Sequence, residues 1–260
     1  MHPVLFEIGG FKVYSYGAML LVAFVVGVAW AIKRGAKVGM NANQVLDASF
    51  WTIIAGVLGA RIVFIAQNIP HYSQNLNELF SFQFQGLTSF GGIIFGVLAM
   101  MAWSWRAKVP VQRTFDVFAG PVLLGFFFGR IGCLLNGCCW GCPTGGTVPW
   151  GISVAGEPGP HHPAQVYDAL MNLVGVGILL LLERKGLRMG QSAALFLILN
   201  GLSRFIYEFW RAGYSSSYLG GLPITEAQLV ALVMVVGGSV WFAMSGLRSP
   251  PQFQSASPAL

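Results

Sequence analysis

The residues best able to do chemistry stand together in one stretch, from Gly129 to Cys142, which reads Gly-Arg-Ile-Gly-Cys-Leu-Leu-Asn-Gly-Cys-Cys-Trp-Gly-Cys. It contains Arg130, Asn136 and all four cysteines of the chain. It follows an apolar run, residues 115–128, of the kind that crosses a membrane. A charged side chain at membrane depth is costly and needs a partner. Arg130 is therefore predicted to mark a functional site.

The cysteines of this stretch follow the pattern C-x4-C-C-x2-C, at Cys133, Cys138, Cys139 and Cys142. The last two have the spacing of a zinc-binding pair, but no second pair of cysteines or histidines accompanies them. One disulfide within an external loop, or small thiols that pack closely, are the favoured interpretations. The sequence thus predicts no bound metal and no cofactor.

The amino-acid composition indicates whether the chain folds in a membrane or in water. The chain is 55% hydrophobic and only 9% charged, whereas an ordinary soluble domain has about 25% charged residues. The net charge of +6 does not indicate a nucleic-acid partner, because the basic residues fall between apolar runs. The chain is predicted to be an integral membrane protein.

Apolar runs predict the elements that position the stretch. Each is close to the length of about 20 residues that a spanning helix needs. The predicted fold is an all-α membrane protein with one transmembrane domain, residues 1–248, an external loop at 134–163 and a disordered tail at 249–260. The seven predicted helices lie at about 15–35, 45–67, 90–106, 114–133, 165–183, 190–210 and 224–246.

Lysine and arginine alternate between the links, which predicts the orientation. The links at 68–89 and 134–163 contain no lysine or arginine. The N-terminus is therefore expected outside and the C-terminus in the cytoplasm. The basic links, after the first, third and fifth helices, carry Lys33, Arg34 and Lys37, then Arg106, Lys108 and Arg113, and then Arg184, Lys185 and Arg188.

Three arginines reach a similar depth in this arrangement. Arg61, Arg130 and Arg204 each lie about 21–24 Å from the cytoplasmic start of their helices, at 1.5 Å per residue. Glu208 follows Arg204 by one turn, and Tyr16 lies at the outer end of the first helix. Because the planar guanidinium group suits phosphate, an anionic phospholipid headgroup in the outer leaflet is the expected ligand. The alternatives are independent snorkelling of Arg61 and an intrahelical pair of Arg204 with Glu208.

Several separated segments together resemble the bacterial prolipoprotein diacylglyceryl transferase family, over about residues 14–245. The stretch from Gly129 resembles its G-R-x-G-N-F-x-N-x-E signature, and Asp116 stands fourteen residues before Arg130 as in the family. The other matching segments are Tyr16-Gly17, Arg61, Gly91-Gly92, His162-Pro-Ala-Gln-Val-Tyr-Asp168 and Arg204-Phe-Ile-Tyr-Glu208-Phe-Trp-Arg211.

The resemblance implies a transferase of the bacterial cytoplasmic (inner) membrane, with its site facing the outer leaflet. It would move the diacylglyceryl group of phosphatidylglycerol to the lipobox cysteine thiol of a prolipoprotein signal peptide and release glycerol 1-phosphate. Arg130 would bind the phosphate and stabilise its developing charge, assisted by Arg204, which Glu208 would hold. The implied substrate-binding residues are Arg130, Tyr16, Arg61, Asn136, Gly91, Gly92 and His162.

The chain departs from the family pattern at three positions. Phe90 stands where the family has histidine, and Cys133 and Cys138 replace the signature asparagine and glutamate. The group that takes the thiol proton is then a cysteine thiolate near Arg130, His162 or a phosphate oxygen of the substrate. The departures leave two alternatives open, a membrane thiol–disulfide oxidoreductase and a non-catalytic lipid-binding protein on the same scaffold.

Overall fold

A computed structural model describes residues 2–8, 11–73, 88–211 and 224–248. Within these ranges the helices are α1 (Ser15–Lys37), α2 (Ala42–Gln67), α3 (Ile69–Tyr72), α4 (Ser89–Arg106), α5 (Val111–Asn136), α6 (Ala164–Arg184), α7 (Gln191–Tyr207) and α8 (Glu226–Arg248). A single 3-10 turn, Glu208–Trp210, continues α7. Two short antiparallel ribbons pair β1 (Val4–Ile8) with β2 (Phe11–Tyr14) and β3 (Ile152–Ser153) with β4 (Pro160–His161).

The all-α prediction is confirmed, and a long helix stands at each of the seven predicted runs. Five of them, α1, α2, α5, α6 and α8, are long and apolar enough to cross a membrane. The helices α4 and α7 are not among those five, so seven spans and the orientation stay predictions. The two ribbons are additions that the apolar pattern did not predict. The tail predicted to be disordered, 249–260, lies outside the described residues.

The chain forms two compact units, which are described separately. One combines the N-terminal segment as far as Arg34 with the chain from Asp116 onward. The other runs from Gly35 to Phe115. The prediction of one transmembrane domain is not tested by this division.

The second unit depends on close approach between α2 and α4. An added Cβ on Gly91 would lie 2.4 Å from the carbonyl oxygen of Gly59, and one on Gly59 would overlap the Phe95 ring. An added Cβ on the next residue, Gly92, would lie 3.5 Å from the carbonyl oxygen of Gly56, which is one turn before Gly59 on α2. Small residues let two helix backbones approach in this way, which is a common source of helix association in membranes. The glycine pair of α4 therefore has a packing role, whatever part it plays in binding.

Replacing Gly91 by alanine is expected to destabilise the protein by about 1–3 kcal/mol, because the new methyl group has no space against backbone atoms. The measurement is thermal unfolding of the purified protein in detergent. Gly177→Ala is the matched control, since this helical glycine has no neighbour within 4 Å of its Cβ position. Equal unfolding temperatures for the two variants would contradict the packing role.

The first unit has a core of apolar side chains from α5, α6 and α7, with Leu187 of the intervening turn. Its buried members are Ala119, Leu123, Val176, Leu179, Leu187 and Leu195. Asp116 of α5 accepts hydrogen bonds from the backbone N–H groups of Gly190, at 2.5 Å, and Ala193, at 2.8 Å. These are orphan donors at the start of α7. Asp116 thus caps α7 from a different helix.

Arg34 is buried in this unit, with 3% of its surface exposed. Its guanidinium group donates to both carboxylate oxygens of Glu183, at 2.7 and 2.6 Å, and to the carbonyls of Asp116 and Val117. Ser192 donates a further hydrogen bond to Glu183. The sequence pattern counted Arg34 only as one of the basic residues of the first link. In the structure, Arg34 of α1 instead forms buried hydrogen bonds to α5 and α6.

Candidate active site

Arg130 and Asp168 form the central contact of the predicted site. Arg130 lies near the end of α5, and its Nε donates to Oδ2 of Asp168 at 2.5 Å. Asp168 lies in the second turn of α6, with its side chain 7% exposed. The bond uses one of the five N–H donors of the guanidinium group. Arg130 thus has a protein partner within the fold, where the sequence predicted only a lipid phosphate.

Asp168 is itself held in place by neighbouring polar groups. Its Oδ1 accepts hydrogen bonds from Ser203 Oγ at 2.6 Å and Asn172 Nδ2 at 3.0 Å. The first donor comes from α7 and the second from the next turn of α6. Because both carboxylate oxygens of Asp168 accept hydrogen bonds, its side chain has a defined orientation. Asp168 in turn fixes the position of the Arg130 guanidinium group.

The Tyr207 ring brings two of the predicted arginines together. The guanidinium carbon of Arg130 lies 4.7 Å from the ring centroid, and that of Arg204 lies 5.2 Å from it. The ring is 1% exposed, so both cation–π contacts are largely shielded from water. The structure thus brings Arg130 and Arg204, two of the three arginines predicted to lie at similar depth, to one ring within this unit. Tyr207 is the residue that makes it, and the sequence analysis assigned it no role.

Glu208 is buried between two cations. Its Oε2 lies 3.0 Å from Arg204 and 3.9 Å from Arg211. The predicted pair with Arg204 is present, but neither carboxylate oxygen accepts a well-aligned hydrogen bond within the described chain. The charged side chains of these ion pairs sum to one net positive charge. They are the guanidinium groups of Arg130, Arg204 and Arg211 and the carboxylates of Asp168 and Glu208. Such a balance favours an anionic ligand.

Tyr16 and Asn136, two of the predicted substrate-binding residues, lie on α1 and α5. Tyr16 of α1 packs on α5, where a Cβ on Gly132 would lie 3.1 Å from its ring. Gly132 is two residues beyond Arg130 on α5, and a substrate-binding role for Tyr16 stays a prediction. Asn136 is the exposed last residue of α5. A substrate-binding role for Asn136 stays a prediction.

His162 lies where the loop after α5 meets α6. Its Nδ1 is 3.1 Å from the Tyr167 hydroxyl, which also accepts from Trp150 Nε1 at 2.7 Å. Its backbone N–H donates to the carbonyl of Cys142, and its carbonyl accepts from Gly141. The backbone ladder continues from Cys142 to the Trp210 carbonyl at 2.9 Å, which fastens the loop to the end of α7. His162 thus anchors the loop, and a part in binding stays a prediction.

The cysteines are arranged differently from the expected disulfide or the zinc-spaced pair. All four are free thiols. The sulfur atoms of Cys133, Cys138 and Cys139 lie within 4.8 Å of one another, whereas Cys142 is not part of the group. Hydrogen bonding with Cys133 and Cys138, helped by the charges of Arg130 and Arg211, holds the pKa of the Cys139 thiol well below its usual range.

The remaining predicted residues belong to the second unit. Arg61 of α2 is half-buried, with its guanidinium carbon 5.5 Å from the Tyr72 ring and 5.9 Å from the Phe64 ring. Gly91 and Gly92 form the helix contact described above, and Phe90 is 67% exposed beside them. Their share in substrate binding stays a prediction.

Sequence reasoning missed the groups that orient the arginines. Asp168 was quoted as part of a matching segment but was assigned no role. It was detectable, because an ionisable residue within an apolar helix marks a functional position. Ser203 and Tyr207 carried no comparable signal, since hydroxyl and aromatic groups are common in membrane helices. The grouping of Cys133 with Cys138 and Cys139 depends on a turn that spacing alone does not predict.

Comparison with known proteins adds an independent finding. Residues 3–244 match the family model described as prolipoprotein diacylglyceryl transferase. The phosphatidylglycerol–prolipoprotein diacylglyceryl transferase of Clostridium tetani is 30% identical over 253 residues, which cover 95% of this chain and 99% of the relative. The protein of that name in Idiomarina loihiensis is 34% identical over 258 residues, which cover 95% and 94%. The corresponding protein of Bordetella avium is 31% identical over 259 residues, which cover 96% and 97%.

Proposed function

This chain belongs to the prolipoprotein diacylglyceryl transferase family, and we propose that Arg130 and its neighbours form the site at which it acts. The chain is a transferase that moves the diacylglyceryl group of phosphatidylglycerol to a prolipoprotein. The acceptor atom is the thiol of a lipobox cysteine, and glycerol 1-phosphate leaves.

The observation that carries the assignment is the pair of guanidinium groups on the Tyr207 ring. Arg130 and Arg204 carry their charge in a partly buried place, where an anion gains more from each contact than it would in water. The phosphate of the lipid binds there. Asp168 and Glu208 hold the two guanidinium groups in position before the lipid arrives.

The arrangement suits a reaction in which charge develops on a leaving phosphate. The acceptor sulfur attacks the glycerol carbon of the diacylglyceryl group, and the bond between that carbon and the phosphate oxygen breaks. The electron pair leaves with the phosphate, whose charge rises in the transition state. Fixed cations near that oxygen stabilise the transition state more than the bound lipid, which is what accelerates the reaction.

The setting of the site follows the alternation of basic residues. Seven membrane spans, an external N-terminus and a cytoplasmic C-terminus place Arg130 and Arg204 in the outer leaflet of the cytoplasmic membrane. The loop after α5 then lies outside, beside the incoming signal peptide. Phosphatidylglycerol reaches the site from the same leaflet.

The test is a transfer assay with purified protein, phosphatidylglycerol labelled in its acyl chains, and a lipobox peptide. We expect a labelled diacylglyceryl thioether and free glycerol 1-phosphate in equal amounts. A peptide with serine in place of the lipobox cysteine is the control and should remain unlabelled. Product formation would exclude the non-catalytic lipid-binding alternative. Binding of the lipid without any thioether would overturn the proposed function.

A further inference from the structure

The turn that follows α5 brings three thiols together in a fixed arrangement. The sulfur atoms of Cys133, Cys138 and Cys139 lie within 4.8 Å of one another, and those of Cys138 and Cys139 are 3.6 Å apart. Thiolates bound to one zinc ion at about 2.3 Å in tetrahedral geometry lie about 3.8 Å from each other. The three sulfur atoms therefore need only small movements to share one metal ion.

The backbone holds this arrangement without a metal. Cys139 has φ of +66°, a conformation that residues other than glycine rarely adopt. The turn is fastened at both neighbouring carbonyls, because Gln165 donates to Cys138 at 2.6 Å and Tyr207 donates to Cys139 at 3.4 Å. Cys133 is fixed by α5 itself. A ligand set that is positioned before binding loses little conformational entropy on binding.

We propose that Cys133, Cys138 and Cys139 bind a Zn²⁺ ion, and that the open fourth position of this ion takes the acceptor thiol. The metal site stands on the geometry alone, whereas the second part rests on the proposed function. Three protein ligands with an open position are typical of catalytic zinc, and four are typical of structural zinc. Within the described chain no fourth histidine, cysteine or carboxylate joins the group.

The position of the thiols also suits the reaction. Cys133 lies three residues beyond Arg130, on the same face of α5. Cys139 is exposed, so the group opens toward solvent. A sulfur bound at the fourth position would stand beside the phosphate site.

The step balances without a further reactant. The acceptor thiol binds Zn²⁺ and releases its proton to water, because a coordinated thiol is deprotonated. Its sulfur then forms the bond to the glycerol carbon, and the bond from that carbon to the phosphate oxygen breaks. The electron pair leaves with glycerol 1-phosphate. The thioether is a weaker ligand than the thiolate and dissociates. Zinc binding would thus supply the deprotonated acceptor sulfur.

The first experiment measures zinc itself. Full-length protein in detergent is reduced, given Zn²⁺, desalted and analysed for metal content. We expect one zinc per chain in the wild type and in Cys142→Ser, the matched control, and none in Cys139→Ser. The exposed position of Cys139 makes misfolding of that variant a small concern, and an unchanged unfolding temperature without metal checks it. A wild type without zinc, or with a disulfide among the three cysteines, would overturn the proposal.

The second experiment tests the open position. Protein loaded with Co²⁺ in place of Zn²⁺ should show a thiolate-to-cobalt charge-transfer band. A lipobox peptide with cysteine should change that spectrum, and the serine peptide should not. A spectrum that does not change when the cysteine peptide is added would overturn the claim that the acceptor thiol binds at the fourth position of the metal.

The transfer assay separates this inference from the proposed function. Zinc-free protein should transfer at least about tenfold more slowly than the zinc form, and added Zn²⁺ should restore the rate. Full transfer without zinc would overturn the role of the metal and leave the transferase standing. Zinc binding without transfer under any condition would overturn the transferase and leave the metal site standing.

Discussion

Replacing Arg130 by alanine is expected to lower the rate of diacylglyceryl transfer by about 10²–10³-fold, the cost of removing one preorganised group that stabilises transition-state charge. Arg130 is the cation that Asp168 holds beside the Tyr207 ring. The effect should fall mainly on the rate constant, because phosphate charge rises as the C–O bond breaks. The measurement is the transfer assay at saturating and limiting phosphatidylglycerol.

Two further variants sharpen this prediction. Arg130→Lys keeps the charge but loses the planar fork, so we expect it to recover only part of the activity. Arg184→Ala removes an exposed arginine at the end of α6 and should leave the rate unchanged. Full activity in Arg130→Ala would show that the phosphate binds elsewhere.

Replacing Glu183 by alanine is expected to destabilise the protein by about 3–5 kcal/mol, the usual cost of removing one partner of a buried ion pair. Arg34 would keep its charge among buried groups and would lose its two hydrogen bonds to the Glu183 carboxylate, at 2.7 and 2.6 Å. Ser192 would also lose its acceptor. The measurement is thermal or denaturant unfolding in detergent, with a matched transfer assay on the fraction that remains folded.

The double variant Arg34→Met with Glu183→Leu should recover much of the lost stability, since it removes both charges and fills the space with apolar atoms. Glu157→Ala is the matched control, because this glutamate lies exposed in the loop and forms no ion pair with the residues that the structure describes. If Glu183→Ala unfolded at the same temperature as Glu157→Ala, the buried pair would have no structural importance.

The helices were the most predictable part of the protein. Each predicted run became a helix, because a long apolar segment must satisfy its backbone hydrogen bonds internally in lipid. Arg130 and Arg204 were predictable for a related reason, since a charge in such a segment is tolerated only with a partner. The pair of Arg204 with Glu208 followed from their spacing of four residues on one helix.

The partners contributed by other elements were not predictable in the same way. Arg34 was counted only among the basic residues of the first link, yet it is buried against Glu183, almost 150 residues later in the chain. Asp116 caps α7, a helix that begins more than seventy residues after it. Such contacts depend on which helix faces which, and composition and spacing carry little information about that.

The stretch from Gly129 to Cys142 shows the difference between what sequence determines and what tertiary packing determines. The sequence by itself determined that it ends an apolar helix with an arginine and enters a loop with four cysteines, because these are properties of local order. Only the tertiary structure decided that Arg130 meets Asp168 and Tyr207, and that Cys133, Cys138 and Cys139 converge while Cys142 does not. The physical reason is that a helix forms from the backbone hydrogen bonds and apolar side chains of one continuous segment. Ion pairs and ligand sets form between different helices and turns, and the packing of the whole unit determines which of their faces meet.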